Sequence, residues 1–123
     1  MKTPLTTPNA PTAPFLSQAI VSNGTIYVSG QIHNKSDGTL VDGTVTEKLA
    51  QIMQNISEIL KATDATLNDI VKVVVYVTDM AQMPELNEAY TSYFTKPFPV
   101  REAVCVQALP LGATIEISVV ATK

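Results

Sequence analysis

The chain has 123 residues, 46% of them hydrophobic, and 11 acidic against 8 basic side chains leave a formal net charge of −3. That supplies one hydrophobic core, and no apolar run approaches the roughly 18 residues of a membrane-spanning helix. With no cluster of Lys and Arg to grip a phosphate backbone, nucleic acid is not the expected partner.

The one cysteine, Cys105, cannot form an internal disulfide. Its place in an apolar, strand-like run suits a packing role and a reducing compartment. Residues 1–14 carry Pro4, Pro8, Pro11 and Pro14 among Thr and Ala, which favours an extended tail ahead of a single domain over residues 15–123. This stretch has neither the apolar centre of a secretory signal nor the arginines of a mitochondrial presequence. The cytosol is the expected compartment, and a mitochondrial one stays open if a presequence precedes this numbering.

Leu16 to Val21 and Thr25 to Ser29 flank Asn23-Gly24, a pair suited to a tight hairpin turn. Ser29-Gly30-Gln31-Ile32 leaves that hairpin, and Asp37-Gly38 and Asp42-Gly43 mark further turns in an irregular stretch. Thr44 with Glu47 fits a capping box, and Leu49, Ile52, Met53, Ile56, Ile59 and Leu60 recur at helical spacing, which predicts a helix from Val45 to Lys61. Lys48, Gln51, Gln54, Asn55 and Glu58 fall on its other, solvated face.

Ile70 to Val77 is Val-rich and too β-branched for a stable helix, so it predicts a central strand. A second helix is expected over Pro84 to Phe94, with Leu86, Ala89, Tyr90, Tyr93 and Phe94 as its apolar stripe. Val100 to Ala108 and Thr114 to Ala121 are the last strands. The Leu109-Pro110-Leu111-Gly112 turn between them predicts that they pair as a hairpin. The order defines an α+β fold, a mixed sheet with both helices on one face, whose other face self-association would cover.

In the expected hairpin Arg101, Cys105 and Gln107 share a face with Glu116 and Ser118. Pairing Ala108 with Ala113 leaves Arg101 about four residues, roughly 13 Å, beyond Glu116, so a pocket using both is expected between subunits. From spacing alone, Arg101 reads as a solvated strand-end charge and Glu116 as its distant surface counterpart, ahead of any functional reading. The lone His33, in a loop after a turn, is expected at the surface. Ser29 has neither a nucleophile elbow nor a neighbouring base, which favours a hydrogen-bonding role. No phosphate loop, metal-binding helix motif or cysteine pair is present, so no cofactor or metal is implied.

Ser29-Gly30-Gln31-Ile32, Ile70-Val71-Lys72-Val73, Leu86-Asn87-Glu88-Ala89-Tyr90, Pro99-Val100-Arg101 and Ala108-Leu109-Pro110-Leu111-Gly112 with Ile115-Glu116-Ile117 together resemble the Rid family of reactive-intermediate deaminases, also called the YjgF family. The resemblance runs from about residue 15 to the end. It implies a chorismate-mutase-like fold assembled as a homotrimer with an inner barrel and clefts between subunits. It further implies hydrolysis of 2-aminoacrylate and 2-imino acids, such as 2-iminobutanoate and 2-iminopropanoate, to 2-keto acids and ammonia without a cofactor.

By the same resemblance Arg101 holds the substrate carboxylate and Glu116 is the acidic catalytic residue. Asn87, Ser29 and the position of Phe15 contribute to substrate binding. Phe15 stands where enzymatic members commonly carry Tyr, Ala103 where many carry Cys, and Glu102 where a small residue is usual.

Overall fold

The structure, a computed structural model, describes residues 1–123. Six strands make one mixed sheet: β1 (Thr3–Leu5), β2 (Ala19–Ser22), β3 (Thr25–Ile32), β4 (Ile70–Val77), β5 (Val100–Cys105) and β6 (Ile115–Thr122). Their order across the sheet is β1-β2-β3-β6-β4-β5. Helices α1 (Val45–Lys61) and α2 (Met83–Tyr90) connect β3 to β4 and β4 to β5. Because β3 and β4 both run antiparallel to β6, they are parallel to each other with β6 between them.

Local chemistry explains the elements. Asn23 and Gly24 take φ of 51° and 77°, turning β2 into β3. Thr44 and Glu47 close the capping box at the start of α1 in both directions, at 3.1 and 2.9 Å. Leu49, Ile52, Met53, Ile56, Ile59 and Leu60 of α1, with Met83, Leu86 and Tyr90 of α2, bury one face of the sheet. Opposite them lie Ile26, Val28, Val73, Val75, Val77, Ile115, Ile117, Val119 and Ala121. Each large side chain so buried contributes about 1.5–3 kcal/mol of transfer free energy. Helix α2 is shorter than its apolar stripe predicts, because Thr91–Tyr93 tightens into a 3-10 turn.

The last two strands do not form a hairpin. Strand β5 runs parallel to β4 at the edge of the sheet, Val73 facing Arg101 and Val77 facing Cys105. Strand β6 is inserted between β3 and β4, with Glu116 opposite Tyr76 on one side and Ile32 on the other. The residues themselves explain this. In β6 Ile115, Ile117, Val119 and Ala121 are buried and Glu116, Ser118 and Val120 half-buried, as befits a central strand, whereas all six residues of β5 are exposed. The intervening residues 106–114 span the end of β4. There Val106 N–H donates to Val77 O and Thr78 N–H to Thr114 O, and Leu111 and Gly112 reverse the chain with φ of 60° and 78°.

Four further expectations need correction. Residues 1–14 are not a tail apart from the domain: β1 pairs with β2, and Thr7 and Ala10 are buried. Asn55 is not on a solvated face, because its amide donates to Asn34 O at 2.9 Å, closing the end of β3. His33 is 2% exposed rather than on the surface. Cys105 has no packing role within the chain, lying exposed on the edge strand.

Candidate active site

Near the end of β3 its register with β6 shifts, so that Ser29 and Gly30 form an irregularity between Val28 and Gln31. Gly30 thereby lies under the side chain of Glu116. A Cβ at this position would overlap Glu116 Oε2 and stand 2.9 Å from its Cδ. The carboxylate is half-buried, and desolvation raises its pKa above the ordinary glutamate value.

Glu116 lies at a cavity of about 360 Å³ whose walls include Ser29, Gly30, Ile32, Pro11, Phe15 and Leu111. The wall from Pro11 to Ala13 is fixed by Gln18, which is 2% exposed. Its Oε1 accepts from Thr7 N–H at 2.7 Å, and its Nε2 donates to the carbonyls of Thr7, Ala10 and Pro11. Ser29 donates its hydroxyl to Ser17 O at 2.6 Å, tying the Phe15–Ser17 turn to β3. Phe15 projects at the mouth, 83% exposed.

Back along the chain from Glu116, Thr114, at the foot of β6, is held by three side chains. His33 Nε2 accepts from Thr114 N–H at 3.0 Å, which requires the tautomer in which Nδ1–H donates to Val41 O at 2.9 Å. Lys48 Nζ donates to Thr114 Oγ1 and Gln82 Nε2 to Thr114 O. Burial holds the His33 pKa below its usual value, so the ring stays neutral and keeps its acceptor.

Arg101 is not in this cavity. Facing Val73, it is on the helix side of the sheet, whereas Glu116, facing Tyr76, is on the other side. Two strand spacings and three residues separate them, roughly 14 Å between Cα atoms. The shared face expected from a hairpin therefore does not exist, since both strands pair with β4 and their partners there, Val73 and Tyr76, are an odd number of residues apart. The guanidinium rests 4.8 Å from the centre of the Tyr90 ring on α2. Asn87, one turn before Tyr90, is exposed on the same helix. The one salt bridge of the chain, Lys72 to Glu102 at 3.8 Å, leaves both Arg101 and Glu116 without an ionic partner. The residues singled out in the sequence therefore fall into separate places: Glu116, Ser29 and Phe15 at the cavity, Arg101 on β5 and Asn87 on α2.

Known proteins share the sequence pattern and the α+β sandwich of this chain. The family described as "Endoribonuclease L-PSP" matches residues 7–123. The 2-iminobutanoate/2-iminopropanoate deaminase of Mus musculus is 41% identical over 122 residues, covering 97% of this chain and 90% of that protein. The mitochondrial protein MMF1 of Saccharomyces cerevisiae is 39% identical, over 98% of this chain and 84% of that one. The crystal structure of the Rid-family protein YyfA from Yersinia pestis superposes with a TM-score of 0.96 at 38% identity, covering both chains completely. The chain belongs to this family, the Rid or YjgF family, whose motifs its sequence resembles.

Proposed function

We propose that the protein hydrolyses small 2-imino acids, 2-iminobutanoate and 2-iminopropanoate among them, to 2-keto acids and ammonia, in sites shared between subunits of a homotrimer. The observation that carries this reading is the uncommitted pair: a desolvated Glu116 carboxylate at a cavity and an Arg101 guanidinium without a counter-ion, on opposite faces of one sheet. A second copy that covers the open face, where Tyr27, Val100 and Val104 are exposed, would bring its own Arg101 to this chain's Glu116. The inner barrel belongs to the same proposal.

Arg101 suits a carboxylate because its planar fork donates two parallel charge-assisted hydrogen bonds, fixing the imine carbon for attack. Water adds to that carbon, and the carbinolamine then expels ammonia as the C–N bond breaks and the C=O bond forms. Glu116, with its pKa raised by burial, orients the water and relays protons to the departing nitrogen. Asn87 and Ser29 line the approach, Ser29 through backbone and turn geometry since its hydroxyl already serves Ser17 O. An electrophilic imine needs little beyond orientation, and neither a covalent intermediate nor a cofactor enters these steps.

The name of the mouse relative supports the same chemistry. The test generates 2-imino acids with an amino-acid oxidase and follows keto-acid formation. Acceleration by the wild type and its loss in Arg101→Ala are expected. No acceleration, or full activity in Arg101→Ala, would contradict the reading. Phe15, which offers no phenolic hydroxyl at the cavity mouth, favours a second reading as a binder of small carboxylates. Calorimetric binding of 2-oxobutanoate without turnover would select it.

A further inference from the structure

Arg101 is the only arginine in the chain. It stands on an edge strand, exposed, with a long side chain and no ionic partner to hold it. What touches it is Tyr90, whose ring centre lies 4.8 Å from the guanidinium carbon. That ring is itself fixed: Tyr90 is 6% exposed and packs on Phe94, one turn on, at 4.8 Å with the planes inclined by 41°. Its hydroxyl is buried and has no hydrogen-bond partner, so hydrogen bonding does not explain a tyrosine here.

We propose that Tyr90 is a positioning residue, its ring face holding the guanidinium of Arg101 in place so that the N–H fork is presented to a substrate carboxylate. The proposal rests on the carboxylate-binding reading of Arg101 given above. The chemistry of the contact makes the case. A carboxylate partner would hold Arg101 equally well but would occupy the donors that the substrate needs. An aromatic face attracts the cation through its quadrupole and leaves all five N–H donors free. Burial pushes the phenol's pKa up, against a smaller opposing effect of Arg101, so the ring stays neutral and supplies no competing anion.

Two substitutions separate this role from simple packing. Tyr90→Phe keeps the aromatic face, whereas Tyr90→Leu removes it. In Tyr90→Leu the KM for imine and the Kd for 2-oxobutanoate should rise about 2- to 5-fold, the range of a cation–π contact at an exposed site, with kcat changing less. Tyr90→Phe should restore most of that loss. Should Tyr90→Leu fail to fold, Tyr90→Met offers a longer apolar replacement.

A single arginine also gives a single arginine Nε–H resonance in a nitrogen-correlated NMR spectrum. That resonance should carry a ring-current shift in the wild type and in Tyr90→Phe and lose it in Tyr90→Leu. An unchanged resonance together with unchanged affinity in folded Tyr90→Leu would overturn the proposal. If the wild type neither binds 2-oxobutanoate nor turns imines over, the carboxylate reading of Arg101 falls. The NMR comparison still decides whether Tyr90 holds the guanidinium.

Discussion

Gly30→Ala isolates the role of the Glu116 carboxylate from the stability of the fold. The added methyl would overlap Glu116 Oε2 and stand 2.9 Å from Cδ and 3.3 Å from Cγ, against the roughly 3.5 Å of relaxed contact. Because the colliding atoms end a flexible side chain, relief requires the carboxylate to move by about 1 Å rather than the strands to part. Gly30 is not in the positive-φ region, so alanine adds no backbone strain there and reduces the freedom of the unfolded chain by about 0.4–1 kcal/mol. Folding stability should therefore change by less than about 1 kcal/mol, while a displacement of that size at a reacting centre costs about 100-fold in kcat/KM. Urea denaturation and the oxidase-coupled imine assay measure the two effects. Wild-type activity in Gly30→Ala, or loss of the fold, would refute the placement of Glu116 over Gly30 as the catalytic arrangement.

The folded state holds the Glu116 proton to higher pH than the unfolded chain, whose glutamates titrate near about 4.3. Stability should accordingly fall as pH rises from there through the folded pKa, and Glu116→Gln should remove that component from denaturation curves taken across the range. His33 behaves in the opposite sense. Its folded pKa is depressed, so its contribution is full above about pH 6.5 and lost as pH falls through the folded pKa. His33→Ala, which strands Thr114 N–H and Val41 O, should cost about 2–4 kcal/mol and flatten the acid limb of the stability curve. Gln18→Leu removes four hydrogen bonds to the N-terminal segment, so Thr7 N–H should exchange with solvent much faster. Stability should fall by about 2–4 kcal/mol in chemical denaturation.

How much of this is legible in the sequence depends on whether the cause is local. Helix α1 is legible because its capping box and apolar repeat act within a few residues, as is the Asn23-Gly24 turn. The partner of β5 is not. Alternation in Val100–Cys105 says which side chains share a face, but a Pro-Gly turn is compatible with both a hairpin and a chain that crosses the end of β4. His33 and Asn55 look like surface residues because partners of theirs are distant in the chain, 21 residues between Asn55 and Asn34 and 81 between His33 and Thr114. A resemblance singles out Arg101 and Glu116, and their placement on opposite faces follows only from the register of β5 and β6 with β4. The spacing of Tyr90 places it on the apolar stripe of the second helix. Nothing in that spacing indicates that its ring also meets Arg101.

Coexpression of Arg101→Ala with Glu116→Ala is the most direct test of a site shared between subunits. Each variant alone should be inactive in the imine assay. In randomly mixed cyclic assemblies about one quarter of the sites join an intact Arg101 from one subunit to an intact Glu116 from the next, so activity should return to about that fraction of wild type. A mixture as inactive as its parents, with mixed assemblies confirmed by mass, would contradict it.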